Sequence, residues 1–464
     1  MLDIIIIGGG IVGVSIAQYC ARFQLKILLL EKEAELSFGV SKSNSGIIHT
    51  GFQSPAGSLS GTCAVRGNAL YAQLSRQLQF PFKRTGELIV GFAGDAPRLT
   101  TPHMQRVNAP WLREHEPALS GSITCALLGE SAGVVNPYEA IYALAENAVA
   151  NGVTIRCEHA VTALQYDDAT KRWEVKTQDA AYQTKIVINS AGLYADMVSE
   201  MAGIPCEKIT PRKGEEFLLD RHLHDLPSRI IFPLPEKNSK GILIIPTVDH
   251  NAMIGPTATA IENKDDLRTS AEGKSMVFEH AKRLVPSLKE ASIIASFAGN
   301  RPATASGDFH IQEDAPGLIN CLGIQSPGLT AAPAIGEMVG SIIRQALEKQ
   351  AGRIVDEKKN FIADREPIPR FRELSSAEKN KLIRKDPAFG EIVCRCEAVT
   401  RGEILEAIRR GARTLDGIKF RTRSQMGRCH GAFCTMKLMH ILATALDVPM
   451  ETLTKRGKGS EMLK

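Results

Sequence analysis

The sequence predicts an α/β protein with three parts: a doubly wound nucleotide-binding domain, an inserted and mainly antiparallel domain, and a small helical domain near the C-terminal end. Three observations lead to this prediction. A buried strand at 3–7, a glycine-rich turn and a helix at 11–23 open the chain, which is the order of a βαβ unit. Apolar strands that suit the same sheet recur far downstream. Four cysteines cluster near the C-terminal end.

The first turn has the spacing of a dinucleotide-binding fingerprint. Gly8, Gly10 and Gly13 follow the pattern G-x-G-x-x-G, which permits a tight turn, a close approach of the backbone to a pyrophosphate, and close packing of helix on strand. The helix N-terminus adds free N–H groups and a partial positive charge. A second strand at 26–30 leads into Glu31, which is placed to bind ribose hydroxyls. We therefore expect FAD or NAD here, with a glycine turn of an unrelated α/β protein as the alternative.

The later sheet pieces divide the chain into segments. Strands are expected at 185–189 and 317–321, with a helix near 331–348, and the stretches between them are rich in turns and short strands such as 241–247. The heavily charged, proline-containing residues before the cysteine region predict a linker arm. The expected boundaries are 1–75, 145–205 and 300–350 for the nucleotide-binding domain, 76–144 and 206–299 for the second domain, 351–389 for the linker, and 390–450 for the cysteine-bearing domain.

The composition is that of an ordinary globular protein, with 44% hydrophobic and 23% charged residues. A net charge of +5 over 464 residues does not indicate a nucleic-acid partner. We expect no signal peptide and no transmembrane segment, because the chain offers neither a positive leader nor about 20 uninterrupted apolar residues. A cytoplasmic location follows, with peripheral attachment to the inner face of the membrane left open. Six scattered cysteines are expected to be reduced thiols: Cys20, Cys63, Cys125, Cys157, Cys206 and Cys321.

A strand that ends in small residues is part of a layout that resembles a known superfamily. The segment 189–196 (NSAGLYAD) closes a strand with residues that let the backbone pass close to a cofactor. Together with the fingerprint at the start of the chain, this layout resembles the D-amino-acid-oxidase-like flavoenzymes, and the resemblance favours FAD over NAD. It implies that Gly192 lies at the cofactor and that a backbone group near Val161 touches the adenine.

Four further motifs make the resemblance specific to a smaller group of flavoenzymes. They are 41–52 (SKSNSGIIHTGF), 211–215 (PRKGE), 254–258 (IGPTA) and 323–330 (GIQSPGLT). They are similar to motifs of FAD-dependent glycerol-3-phosphate dehydrogenases and oxidases, and L-2-hydroxyglutarate oxidases share parts of them. The resemblance implies further FAD-binding residues: Ser41, Ser43, Gly328, Leu329 and Thr330.

A histidine and an arginine are the candidate catalytic residues. Oxidation of a secondary alcohol removes a proton from oxygen, and an imidazole suits that task near neutral pH. The resemblance implies that His49 is this base, and a structural histidine is the alternative. Arg301 resembles the substrate-binding arginine of the glycerol-phosphate family, and a guanidinium binds phosphate or carboxylate alike. A surface or interdomain salt bridge is the alternative role for Arg301. Further candidates to bind the same small anionic substrate are Ser45, Lys240 and Ser326, and an ordinary surface or loop role is the alternative for each.

The clustered cysteines predict a metal-sulfur site. Cys394 and Cys396 form a C-x-C pair, and Cys429 and Cys434 form a C-x4-C pair. Four thiolates suit an iron-sulfur cluster or tetrahedral zinc, with free thiols as the remaining alternative. The two pairs resemble the bacterioferritin-associated-ferredoxin-like domain, which implies that the four cysteines bind a [2Fe-2S] cluster.

The expected activity follows from both resemblances. We expect an FAD-dependent dehydrogenase that oxidises glycerol 3-phosphate to dihydroxyacetone phosphate and relays electrons through the cluster to an external acceptor or a partner subunit. Oxidation of a 2-hydroxy acid or an amino acid, and a non-catalytic electron-transfer subunit, are the alternatives.

Residues 401–430 carry eight Lys or Arg against three Asp or Glu. Three interpretations of this basic run are open: cations that stabilise a reduced cluster, a solvated face, or a docking patch for an acidic carrier.

Overall fold

The computed structural model describes residues 1–52, 54–95, 99, 103–223, 225–234, 241–352 and 354–463. These residues form two large sheets, two small sheets and a helical module near the C-terminal end. The predicted α/β class is confirmed, as are the doubly wound sheet, the mainly antiparallel second sheet and the small helical domain. Lys240, a predicted substrate-binding residue, lies outside the described residues.

In the described part of the chain, the strands are β1 (Leu2–Ile7), β2 (Ile27–Leu30), β3 (Ile47–Ile48), β4 (Phe82–Arg84), β5 (Glu87–Phe92), β6 (Gln105–Asn108), β7 (Ile123–Gly129), β8 (Gly133–Val135), β9 (Thr154–Arg156), β10 (Val161–Asp167), β11 (Arg172–Thr177), β12 (Ala181–Asn189), β13 (Thr210–Leu219), β14 (Ile230–Pro233), β15 (Leu243–Pro246), β16 (Ala252–Gly255), β17 (Thr259–Ala260), β18 (Ile293–Ala303), β19 (His310–Ala315), β20 (Leu318–Leu322), β21 (Ile392–Cys394) and β22 (Val399–Thr400).

The helices over the same residues are α1 (Ile11–Cys20), α2 (Leu59–Leu78), α3 (Ala109–His115), α4 (Pro137–Ala150), α5 (Ala195–Met201), α6 (Ala271–Leu284), α7 (Gly328–Ala351), α8 (Ser376–Lys385), α9 (Arg401–Arg409), α10 (Leu415–Thr422) and α11 (Thr435–Leu446). None of these helices has both the length and the apolar character that a membrane crossing requires.

The first large sheet is built around β1, in the order β10-β11-β12-β1-β2-β9. β1 pairs in parallel with β12 and β2, as its nearly continuous run of buried isoleucines predicts. β12 pairs antiparallel with β11 over its first residues and parallel with β20 over its last, so the sheet branches at this strand. Helices α1, α4 and α7 share one hydrophobic core beside it. The downstream strands predicted from the sequence therefore join the first strand in one sheet.

The second large sheet runs β17-β13-β16-β15-β14-β5-β7-β6, with β18 also paired to β13. Its pairs are antiparallel except for β14 with β5. Along the β13–β18 pair, Arg212 lies opposite Arg301 and Gly214 lies opposite Gly299. Opposed residues share a face and every second residue returns to that face. One face of this pair therefore presents Arg212, Gly214 and Glu216 together with Gly299 and Arg301.

The C-terminal module packs α9, α10 and α11 around a small apolar core that includes Leu415, Ile418, Leu438 and Leu442. A capping box at Thr400 starts α9, because its side chain and that of Glu403 bond each other's backbone N–H groups. The preceding residues, expected as a linker, contain α8 and two short 3₁₀ turns.

Ion pairs tie this module to helices and loops next to both large sheets. They join arginines of the module to acidic residues elsewhere: Arg410 to Glu146 (2.7 Å), Arg421 to Glu35 (2.8 Å), Arg423 to Asp249 (2.5 Å) and Arg428 to Asp220 (3.2 Å). These four arginines belong to the basic run at 401–430. They serve an intramolecular interface, a role that none of the three sequence interpretations included.

Candidate active site and cysteine centre

A cavity of about 610 Å³ lies between the glycine turn of the first sheet and the β13–β18 pair of the second. A volume of this order accommodates a cofactor or a drug-sized ligand. Ten of the predicted site residues line it: Gly10, Ser41, Ser43, Ser45, His49, Gly192, Arg301, Ser326, Gly328 and Leu329. The fold thus brings together motifs from the two ends of the first 330 residues.

The glycine turn is built so that larger residues cannot replace its members. Gly8 has φ +107°, and a Cβ added to it would lie 2.5 Å from the carbonyl oxygen of Ser190. A Cβ on Gly13 would lie 1.9 Å from the carbonyl oxygen of Gly8, well inside van der Waals contact. Gly10 faces the Ser41 hydroxyl, which accepts a hydrogen bond from the N–H of Ile11 at 3.0 Å. The turn, the start of α1 and the cavity together form a backbone-lined cradle that fits a dinucleotide.

Five predicted cofactor residues lie outside the cavity lining: Gly8, Gly13, Glu31, Val161 and Thr330. Gly8 and Gly13 shape the turn from behind. The Glu31 carboxylate accepts the N–H groups of Gly9 at 2.6 Å and Glu33 at 2.9 Å, and burial raises the pKa of this carboxyl. Val161 is a half-buried residue at the start of β10. The adenine contact implied for Val161 and the ribose contact expected of Glu31 stay predictions.

The first turn of α7 is fixed by buried contacts. The Thr330 hydroxyl oxygen accepts the backbone N–H of His49 at 3.0 Å. The hydroxyl of Tyr71 donates to the carbonyl oxygen of Leu329 at 2.6 Å. α2 crosses at Gly67, where an added Cβ would lie 2.0 Å from the carbonyl oxygen of Thr330. Thr330 therefore positions the segment that carries His49, although its own side chain is behind the cavity wall.

His49 lines the cavity while being only 9% exposed. Its carbonyl oxygen accepts a hydrogen bond from the Asn68 amide at 2.8 Å. The centroid of its ring lies 5.9 Å from that of Phe232. The imidazole is thus held in a largely dry environment with a fixed backbone, which suits a group that exchanges a proton with a bound ligand.

Arg301 reaches the cavity across a glycine. Its Nη2 donates to the carbonyl oxygen of Thr257 at 2.9 Å, and burial lowers the pKa of the guanidinium. A Cβ on Gly214 would lie 2.2 Å from this Nη2. The glycine of the 211–215 motif therefore leaves room for the guanidinium, and Arg301 is placed to bind an anion in the cavity.

Glu216 is a cavity residue that the sequence interpretation missed. Its Oε1 accepts a hydrogen bond from the Ser45 hydroxyl at 2.6 Å, and its side chain is 3% exposed. Burial raises the pKa of the Glu216 carboxyl to about 7, against the opposing effects of the Ser45 hydrogen bond and of Arg301. The alternation of Arg212, Gly214 and Glu216 along a strand was the available signal, since it places all three on one face.

The four clustered cysteines meet in the C-terminal module. The Sγ atoms of Cys396 and Cys429 lie 3.3 Å apart, and the side chains of Cys394 and Cys434, each 1% exposed, contact each other. A Cβ on Gly427 would lie 2.2 Å from the Cβ of Cys396, so only glycine fits beside this cysteine.

The four sulfurs lie in two close pairs, which is the arrangement that a two-iron centre uses. A tetrahedral zinc with bonds of about 2.3 Å would need all four sulfurs about 3.8 Å apart. In a [2Fe-2S] cluster each iron takes two thiolates, and the bridging sulfides separate the pairs. The donor set fits the two-iron cluster.

Comparison with known families accounts for both the large N-terminal part and the small C-terminal module. Residues 3–342 match the FAD dependent oxidoreductase family, and residues 392–444 match the BFD-like [2Fe-2S] binding domain. The chain belongs to the FAD dependent oxidoreductase family and carries a C-terminal [2Fe-2S] domain. The predicted superfamily, FAD, the [2Fe-2S] cluster and the assignment as an FAD-dependent oxidoreductase are confirmed.

The individual relatives include glycerol 3-phosphate dehydrogenases and a glycerophosphate oxidase. A glycerol 3-phosphate dehydrogenase from Caloramator mitchellensis is 40% identical over 478 residues, which span 100% of this chain and 98% of that protein. One subunit of the anaerobic glycerol-3-phosphate dehydrogenase of Escherichia coli K12 is 24% identical, over 98% of this chain and 92% of its own length. The FAD-bound, dithionite-reduced L-alpha-glycerophosphate oxidase of Mycoplasma pneumoniae superposes with a TM-score of 0.70 and 28% identity, over 78% of this chain and 98% of that structure.

Proposed function

We propose that this chain oxidises glycerol 3-phosphate to dihydroxyacetone phosphate and passes the electrons to an acceptor outside the chain. The observation that carries the proposal is the shared cavity, which is lined by His49 and Arg301 together with Gly10 of the glycine turn. A full-length relative with 40% identity that is a glycerol 3-phosphate dehydrogenase supports the same substrate. The bound FAD supplies a two-electron acceptor for the hydride leaving carbon, and the [2Fe-2S] cluster supplies a one-electron outlet.

His49 is the proposed base for the secondary hydroxyl. Oxidation at carbon is coupled to loss of the hydroxyl proton, and a neutral imidazole in the cavity accepts that proton. The hydrogen bonds to Thr330 and from Asn68 hold its backbone in place. Such positioning fixes the backbone from which the ring enters the cavity.

Arg301 is the proposed phosphate-binding residue. Its guanidinium is partly buried, so a bound anion loses little of the attraction to solvent screening. Ser45 and Ser326 line the same cavity and offer hydroxyl groups to the substrate. Lys240 stays a proposed contributor because a lysine ammonium group pairs with the same kind of anion.

The cysteine module supports a dehydrogenase that uses an external acceptor rather than an oxidase that reduces oxygen directly. A direct reaction with oxygen needs no one-electron outlet. Because the E. coli relative is named as one subunit of its enzyme, we propose that the acceptor is a partner subunit or a separate redox protein.

A steady-state assay with an artificial acceptor tests the substrate assignment. The protein, loaded with FAD and cluster, is expected to oxidise sn-glycerol 3-phosphate and to ignore L-2-hydroxyglutarate and glycine. Oxidation of one of the acids without glycerol 3-phosphate would overturn the assignment.

The variant His49→Ala tests the base. We expect turnover to fall by about 10² to 10⁴-fold, with the flavin spectrum retained. The matched control is His280→Ala, since His280 is exposed on α6 and far in sequence from the cavity motifs. Near-normal turnover of His49→Ala would remove His49 from the mechanism.

A further inference from the structure

Glu216 is a residue of β13 that lines the proposed substrate cavity. Residues alternate along β13, so Arg212, Gly214 and Glu216 lie on the cavity face. Glu215 points to the opposite face, where its Oε2 accepts the N–H of Ser270 at 2.6 Å and helps to start α6. Of two adjacent buried glutamates, one thus stabilises a helix and the other lines the active-site cavity.

The hydrogen bonding of Glu216 is incomplete. Its Oε1 accepts the Ser45 hydroxyl at 2.6 Å. Its Oε2 is buried and has no hydrogen-bond partner within the part of the chain that the structure describes. Because a buried carboxyl oxygen without a partner is costly, it calls for an explanation. A hydroxyl group of a bound substrate would satisfy it.

The neighbours of Glu216 define what kind of ligand would fit. Arg301 lies on the same face and close enough for the two charges to influence each other. A ligand spanning them would place an anion at the guanidinium and a neutral hydroxyl at the carboxyl. A second anionic group at the carboxyl would be repelled. Glycerol 3-phosphate has this polarity, with a phosphate at one end and a free hydroxyl at the other, whereas a dicarboxylic 2-hydroxy acid does not.

We propose that Glu216 is a specificity-determining residue that hydrogen-bonds the terminal hydroxyl of the phosphorylated substrate. The inference rests on the proposed function and deepens it, because it names which part of the substrate is recognised besides the phosphate and the oxidised carbon. Either form of the carboxyl can bond a hydroxyl, since the carboxylate accepts and the acid donates.

Two substrates that differ in one hydroxyl test this role. Glycerol 3-phosphate and 2-hydroxypropyl phosphate both carry the phosphate and the secondary alcohol, and only the first has the terminal hydroxyl. We expect the wild-type protein to prefer glycerol 3-phosphate in kcat/KM by about tenfold or more, as a buried hydrogen bond to a charged group requires. Glu216→Met should bring the two kcat/KM values within about twofold of each other.

Two further variants separate recognition from structure. Glu216→Gln keeps a hydrogen-bonding group of the same shape, so it should retain part of the preference and remains informative if Glu216→Met does not fold. Glu215→Gln removes the neighbouring buried carboxylate on the opposite face, and the preference should then be unchanged even if stability falls.

The outcomes are distinct. A wild-type protein that oxidises both phosphates equally well overturns the role of Glu216 while leaving the proposed function in place. A preference that survives in Glu216→Met, or that is lost equally in Glu215→Gln, also overturns it. Failure to oxidise glycerol 3-phosphate at all overturns the proposed function, and the inference with it.

Discussion

The buried ion pair between Arg421 and Glu35 should make a large contribution to the attachment of the C-terminal module. Nη1 of Arg421 lies 2.8 Å from Glu35 Oε2, and the two side chains are 6% and 1% exposed. The Glu35 carboxylate also accepts the backbone N–H of Arg413 at 2.9 Å, and the Arg421 guanidinium stacks over the Tyr142 ring at 3.9 Å. Replacing Arg421 by methionine keeps much of the volume and leaves Glu35 as a buried charge without its cation.

Breaking a buried pair by removing one partner costs about 3–5 kcal/mol. We therefore expect Arg421→Met to lower the free energy of the first unfolding transition of the cofactor-loaded protein by that amount in urea titrations. Glu35→Gln added to Arg421→Met should recover most of the loss, because the uncompensated charge is gone. The control is Arg409→Met, because Arg409 is exposed and its pair with Glu406 should contribute no more than about 1 kcal/mol.

A loss below about 1 kcal/mol in Arg421→Met would refute this reasoning, since it would mean that Glu35 finds another partner or stays hydrated. A double variant as unstable as the single one would refute it as well, because the cost would then arise from packing alone.

Three further predictions follow from other parts of the structure. Gly13→Ala should abolish FAD binding, measured as flavin content after purification, because the added Cβ would lie 1.9 Å from the carbonyl oxygen of Gly8. Cys434→Ser should remove the visible absorption of the cluster while glycerol 3-phosphate still bleaches the flavin under anaerobic conditions. Between pH 4.5 and about 7 the free energy of unfolding should fall with rising pH through Glu216, whose folded-state pKa is about 7 against an ordinary 4.5. The raised pKa means that the folded state binds the extra proton in this window, so stability is greater below it, by about 3 kcal/mol. Glu216→Gln should remove this component of the pH dependence.

Each of these has a matched control. Gly39→Ala should retain FAD, because nothing lies within 4 Å of a Cβ at that position, and full flavin content in Gly13→Ala would show that the turn adapts. Cys206→Ser should keep the cluster, and retention of cluster absorption in Cys434→Ser would exclude that cysteine as a ligand. An unchanged pH profile of stability in Glu216→Gln would mean that the wild-type carboxyl titrates as it does in the unfolded chain.

Local patterns made the first sheet predictable. The run of isoleucines in β1 and the glycines after it specify a buried strand, a tight turn and a helix without reference to the rest of the chain. The strand predicted at 185–189 lies within β12, and the helix predicted near 331–348 lies within α7. The helix α4 spans Pro137–Ala150 and packs on α1, and the domain boundary expected at 145 stays a prediction.

The arrangement of the site could not be predicted fully from the sequence, because it depends on pairing between strands that are far apart in the chain. β13 and β18 are separated by more than 70 residues, and no local signal shows that Arg301 will lie opposite Arg212 and reach over Gly214. Glu216 was missed although the motif ending at Glu215 lies one residue away, because alternation along β13 shows which residues share a face and not which face lines the cavity. The partners of Arg421 and Arg423 were also beyond sequence reasoning, because a basic run looks the same whether it faces solvent or a carboxylate on another domain.

The contacts that anchor the start of α7 bear on how the cofactor is taken up. Tyr71, Gly67 and Thr330 fix this turn through groups of the protein itself. The cavity wall formed by Gly328 and Leu329 is therefore held by contacts within the protein itself. We therefore expect this end of the FAD site to be largely preformed. Binding of FAD there should cost the chain little conformational entropy.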